Sequence, residues 1–149
     1  MTETKYLVDN NALIFLGTKR NASHFFREYC RVPEEVAHEA GTRRAELLTP
    51  LTVPMSVRIL NELSAVMKTV PVGDKGLLDL YGNRGAADPV LVATAVVLNK
   101  PEKPTLFEEE WVIVTNDRAV RDKAKEFDVK TATPEALAAL IDAAGSPAD

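Results

Sequence analysis

The chain has 149 residues with 18 basic and 22 acidic side chains, a net charge of −4 and 46% apolar residues. That composition suits one globular domain, and a domain of this size buries roughly 68–70% of its unfolded surface, so neither disulfides nor a structural metal are needed to hold it together. The single cysteine, Cys30, excludes an internal disulfide and accords with a reducing, cytoplasmic setting. The first apolar run, Tyr6-Leu7-Val8, is too short for a signal core, and the longest, residues 89–98, cannot span a bilayer.

In chain order, Lys5-Tyr6-Leu7-Val8 predicts a first strand, which Asp9-Asn10-Asn11 ends before a helix over 12–16 that stops near Gly17. A second helix is expected over 21–29 and a short strand at Arg31-Val32. Pro33-Glu34-Glu35 starts a helix that continues past Glu39 toward Glu46, and Pro50 and Pro54 then break the chain. Met55, Ile59, Leu60, Leu63, Val66 and Met67 recur at helical spacing. Gly73 and Gly76 bracket a turn, followed by a short helix to Tyr81. Asp88 as N-cap and Pro89 at the first helical position open a helix to Asn99 that is apolar almost all round, hence buried. Residues 100–110 read as a charged, proline-containing loop. Trp111-Val112-Ile113-Val114 is the strongest strand and ends at Thr115-Asn116-Asp117, where a helix bearing Arg118, Arg121, Lys123 and Lys125 begins. Residues 129–131 read as a last strand, and Thr133-Pro134-Glu135 caps a final helix that frays into Gly145-Ser146-Pro147. Strands alternating with helices predict an α/β fold: a small parallel sheet flanked by helices, one domain over 1–144 with a short tail over 145–149.

Open parallel sheets bind ligands at the carboxyl ends of their strands. Asp9 ends the first strand, Asp117 follows the strongest, Asp88 opens the buried helix, and Glu39 lies in the helix after a short strand. Each alone has a plain structural reading, the aspartates as helix caps and Glu39 as a solvated helix face. Gathered at one edge of one sheet they suit a hard divalent cation, Mg²⁺ or Mn²⁺, which takes oxygen ligands. One cysteine and two well-separated histidines, His24 and His38, argue against a zinc site. The chain has no phosphate-binding GxxxxGK[ST] loop, no GxGxxG after a strand and no GxSxG elbow. A haloacid-dehalogenase phosphatase needs a second aspartate two residues after the first, where Asn11 stands. The acidic balance excludes holding nucleic acid by bulk charge alone, but leaves open a nuclease with local basic patches.

Four segments resemble the PIN-domain ribonucleases, the fold of the VapC toxins of bacterial toxin–antitoxin pairs. They are Tyr6-Leu7-Val8-Asp9-Asn10-Asn11-Ala12-Leu13-Ile14, Val32-Pro33-Glu34-Glu35-Val36-Ala37-His38-Glu39, Ala86-Ala87-Asp88-Pro89-Val90-Leu91-Val92-Ala93-Thr94-Ala95 and Val112-Ile113-Val114-Thr115-Asn116-Asp117. The aspartate heading a Leu-x-Ala-x-Ala helix is the most specific mark, and the Thr-x-Asp at the strand end the next. The resemblance implies an acidic quartet of Asp9, Glu39, Asp88 and Asp117 that holds one or two Mg²⁺ or Mn²⁺ ions and hydrolyses RNA, leaving 5′-phosphate and 3′-hydroxyl ends. Glu35, one helical turn before Glu39, is the fallback for that position. The family usually has Ser or Thr after the first aspartate, where Asn10 and Asn11 stand, and Asn11 is the substrate-binding candidate there. Arg84, just before Asp88, and Arg118, beside Asp117, are the leading phosphate contacts, with Lys19, Arg20 and Arg121 behind them. A cognate antitoxin and a homodimer are the partners implied. Alternatives are a free-standing RNA-processing nuclease, a non-catalytic PIN-fold interaction module and a metal-dependent phosphatase.

Overall fold

The computed structural model describes residues 2–39, 46–69, 88–103 and 106–145, and of Glu39 and Asp88 it describes the backbone. In chain order the elements are β1 (Thr2–Val8), α1 (Asn10–Asn21), α2 (His24–Tyr29), β2 (Cys30–Pro33), α3 (Glu34–Glu39), a 3-10 turn (Thr49–Leu51), β3 (Thr52–Val53), α4 (Val57–Lys68), α5 (Asp88–Leu98), β4 (Glu108–Val114), α6 (Arg118–Glu126), β5 (Thr131–Ala132) and α7 (Pro134–Gly145). The five strands form one all-parallel sheet in the order β3-β2-β1-β4-β5. This is the α/β architecture expected. Helices α1, α2 and α7 pack together as one group and α4, α5 and α6 as another, flanking the sheet. Among the described residues, no helix is long and apolar enough to cross a membrane.

The centre of the sheet is the pairing of β1 with β4, in register from Thr2 opposite Glu108 to Val8 opposite Val114. Strand β2 joins β1 at Tyr6 and Leu7, and β5 joins β4 at Ile113 and Val114. The carboxyl halves of β1 and β4 are thus enclosed, with Leu7, Val8, Ile113 and Val114 fully buried, while Glu108 and Glu109 project into solvent. Phe26, Leu13 and Leu16 fill the core with Leu91, Val92, Ile59 and Val66.

Several boundaries differ from the sequence reading, each for a local reason. Strand β4 starts at Glu108, inside the expected loop, because pairing with Thr2–Thr4 carries it. Strand β3 occupies the interval between the two prolines, and the last strand lies at 131–132. Gly17 does interrupt α1, at φ 82° and ψ 168°, but the helix resumes to Asn21. The buried Asn21 amide donates to the Leu13 carbonyl at 3.1 Å, a group the interruption frees. Helix α2 begins at His24 because Ser23 Oγ accepts from the Phe26 N–H at 3.1 Å, and α4 begins at Val57 because Ser56 Oγ accepts from the Ile59 N–H at 3.2 Å. Ile59 and Val66 are buried as expected, whereas Leu60 faces out. The expected turn at Gly73 and Gly76 and the helix to Tyr81 lie outside the described residues.

One contact closes an exposed edge. Beyond β5's reach, the Trp111 N–H donates to Asn99 Oδ1 at 2.9 Å and Asn99 Nδ2 donates to the Trp111 carbonyl at 3.2 Å. A side-chain amide supplies the donor and acceptor that a neighbouring strand would supply, which blunts the free edge of β4.

Candidate metal centre

From β1 the sheet grows through β2 and β3 on one side and through β4 and β5 on the other. Crossovers of opposite direction leave a crevice at the carboxyl ends of β1 and β4. Asp9 follows β1 directly, and Asp117 lies three residues beyond β4. The topology therefore brings these two carboxylates to one place.

Each is anchored as the N-cap of the helix that follows. Asp9 is only 6% exposed, and its Oδ1 accepts from the Ala12 N–H at 2.7 Å. Its own N–H donates to the Val114 carbonyl at 3.3 Å, which extends the β1–β4 ladder by one residue. Asp117 is half-buried, and its Oδ1 accepts from Ala119 at 2.9 Å and Val120 at 3.3 Å. Among the described residues, Asp117 Oδ2 carries no hydrogen bond. The buried Thr115 hydroxyl accepts from the Asp117 N–H at 3.0 Å and lies close enough to the Asp9 carboxylate to favour its charged form. Burial pushes the Asp9 carboxyl above its ordinary value, the hydrogen bonds from Thr115 and Ala12 draw it back down, and the Asp117 charge adds to the rise.

The other two acids of the expected quartet are placed by their backbone alone. Glu39 is the last described residue of α3, which follows β2 at the same sheet edge, and Asp88 is the first described residue of α5. Among the described residues, no three side chains of Asp, Glu, His or Cys come together as a metal-holding group. No basic side chain among them pairs with Asp9 or Asp117 either. Two carboxylates with no basic partner among the described residues are hard oxygen donors, the kind a divalent cation takes.

The remaining candidates divide. Asn11 is exposed on the first turn of α1, while its neighbour Asn10 holds a buried Oδ1 with no hydrogen-bond partner among the described residues. Arg118 is free in solution, its side chain 92% exposed and 3.9 Å from Asp122. Arg20 is committed to Asp142 at 2.9 Å and to the Leu16 carbonyl at 3.2 Å. Arg84 lies outside the described residues. Thr115 is the positioning residue that the sequence reading left without a role; the Thr-x-Asp spacing was its signal. No protein-family model matches the chain and no curated protein matches it, so the site stands on its own geometry.

Proposed function

We propose that this protein is a Mg²⁺- or Mn²⁺-dependent ribonuclease of the PIN type, and the toxin of a toxin–antitoxin pair acting in the cytoplasm. The observation that carries the reading is the pair of carboxylates at the β1–β4 reversal, with Thr115 beside both and no basic partner among the described residues. Asp9 and Asp117, with Glu39 and Asp88, would hold the ion. Bound there, a divalent cation supplies positive charge at the scissile phosphate and acidity for the attacking water. The chain's own part is positioning. Amides at the helix starts fix one oxygen of each carboxylate, Thr115 holds the Asp117 backbone, and Asn11, Arg84 and Arg118 contact RNA phosphates. Partners under this reading are the RNA, a small antitoxin that covers the acidic crevice, and a second copy of the chain.

The test is cleavage of structured and unstructured RNA in Mg²⁺, Mn²⁺ or EDTA. Wild type cleaves with metal alone, while Asp9→Asn and Asp117→Asn fold but lose activity by orders of magnitude. Wild-type rates in both variants would remove the site assignment. One observation favours a second reading, a non-catalytic PIN-fold module: both carboxylates already serve as caps. That reading requires RNA or protein binding with no metal-dependent cleavage at all. Growth arrest on expression, relieved by the product of an adjacent short reading frame, supports the toxin role; a tolerated active enzyme points to a processing nuclease.

A further inference from the structure

Helix α6 starts at the crevice, with Asp117 as its cap, and carries an asymmetric charge pattern. Arg118, Arg121 and Lys125 lie within about 60° of one another around the axis, at 3.6 residues per turn. All three are exposed. Asp122 and Glu126 lie on the other side of Arg118. Glu126 is engaged by Lys123 at 2.8 Å, and Lys123 is buried, reaching Thr69 Oγ1 at 3.0 Å just past the end of α4. The acidic flank therefore faces α4, and the basic flank faces away from it. Arg121 and Lys125 have no side-chain partner among the described residues, and Arg118 has only the exposed, 3.9 Å contact with Asp122, which is worth little in water. In a chain of net charge −4, this is an unneutralised file of three cations that begins beside the two carboxylates.

The file is about 10 Å long, seven residues at about 1.5 Å each. One file of cations offers contacts to one backbone. Building on the nuclease reading, we propose that the bound RNA strand runs from the Asp9–Asp117 crevice along the outer flank of α6, its phosphates held by Arg118, Arg121 and Lys125, so that tight binding needs RNA longer than a dinucleotide.

The experiment measures binding of a labelled single-stranded RNA of about a dozen nucleotides by fluorescence anisotropy, in EDTA, to the full chain. The proteins are wild type, Arg121→Ala/Lys125→Ala, and a control that removes two exposed lysines elsewhere, Lys68→Ala/Lys103→Ala. Each contact to a single strand contributes about 0.7 to the logarithmic salt slope, so losing two contacts lowers the slope by about 1.4, and between ~50 and ~200 mM salt the α6 variant weakens about sevenfold less than wild type. The control follows wild type. In Mn²⁺, the α6 variant raises KM for a long RNA and leaves kcat unchanged, and it changes nothing for a dinucleotide. A wild-type salt slope in the α6 variant overturns the track, as does a wild type that binds no RNA. Polyglutamate that displaces RNA at equal charge also overturns it and assigns the flank to an acidic protein. The two readings fail separately. Metal-dependent cleavage with an unaltered slope removes the track alone, and steep binding without any cleavage removes the nuclease reading alone.

Discussion

Replacing Asp9 by Asn probes the crevice without any substrate. The carboxylate accepts from the Ala12 N–H at 2.7 Å, and an asparagine caps as well as an aspartate, so the variant removes a charge and little else. Asp9→Ala, which removes the cap as well, should cost about 1 kcal/mol. The folded Asp9 carboxyl sits above its ordinary value near 3.8, through burial first and the Asp117 charge last, against the hydrogen bonds from Thr115 and Ala12. A carboxyl raised in the folded state binds its proton more tightly there than in the unfolded chain. Its contribution to stability is complete below the unfolded value and is lost as pH rises through the folded one. In EDTA, wild type should therefore lose stability toward neutral pH more than Asp9→Asn does, and at neutral pH the variant should melt no lower. Divalent metal reverses the order. An ion that binds the folded form alone adds about 2.7 kcal/mol at 100 times its Kd. With about 2.1 cal/mol/K of unfolding entropy per residue over 149 residues, that is a rise of about 9 °C. If losing one ligand weakens binding about 100-fold, the same concentration adds only about 0.4 kcal/mol, near 1 °C. Melting curves in EDTA, Mg²⁺ and Mn²⁺, from below the ordinary carboxyl value up to neutral pH, read all of this. An unmoved wild-type midpoint in millimolar Mn²⁺, or an equal shift in Asp9→Asn, would refute the shared site.

Other outcomes follow from single contacts. Thr115→Val keeps the volume but removes the hydroxyl that accepts from the Asp117 N–H and favours the charged Asp9 carboxylate. It should cost about 1–3 kcal/mol in thermal unfolding and lower activity, and Thr115→Ser should recover both. Gly17 sits at φ 82° and ψ 168° with no atom within 4 Å of an added Cβ, so Gly17→Ala should lose about 1–3 kcal/mol to backbone strain alone, read by urea titration. Asn99→Ala removes both bonds to Trp111; a loss of about 1–3 kcal/mol and concentration-dependent light scattering from the opened edge of β4 are expected. Burial pushes the Cys30 thiol up to about 12, against weaker pulls from Arg31 and Lys5. Iodoacetamide should label it only as urea unfolds the chain, and labelling of native protein at the rate of free cysteine would contradict its burial.

What the sequence discloses about this fold is what is decided locally. Asp9 and Asp117 stand where an apolar strand meets a helix, and both the strand ends and the caps announce themselves within a few residues. The first half of β4 does not, because Glu108, Glu109 and Glu110 have no apolar alternation, and their strand exists through pairing with Thr2–Thr4 a hundred residues earlier in the chain. Strand β3 is two residues long and owes its form to Val32 and Pro33. Gly17 reads as a stop, and only the fold shows the Asn21 side chain supplying the Leu13 carbonyl's bond so that α1 continues. Leu60 fits the apolar period of α4 and is nonetheless exposed, since periodicity marks a face without marking its width. Thr115 had a visible spacing but no visible role, because its hydroxyl comes beside the Asp9 carboxylate only once β1 and β4 are paired.

The structural and functional readings of Asp9 and Asp117 are compatible. A capping carboxylate is held by backbone amides at one oxygen, which fixes its direction at no further entropic cost to a ligand, and at Asp117 the second oxygen carries no hydrogen bond among the described residues. The positive end of each helix dipole makes an anion easier to keep there. Two such caps at one sheet reversal are two oriented hard donors, and their remaining repulsion adds to the raised Asp9 carboxyl. A protein that used these residues as caps alone would gain from separating them or from placing a lysine or arginine between them. Among the described residues the cations are engaged elsewhere or exposed: Lys123 is drawn to Glu126 and Thr69, Arg20 to Asp142, and Arg118 outward into solvent. Under the proposed function a divalent cation balances the two carboxylates, and Asp→Asn separates the two roles because it preserves the cap and removes the charge.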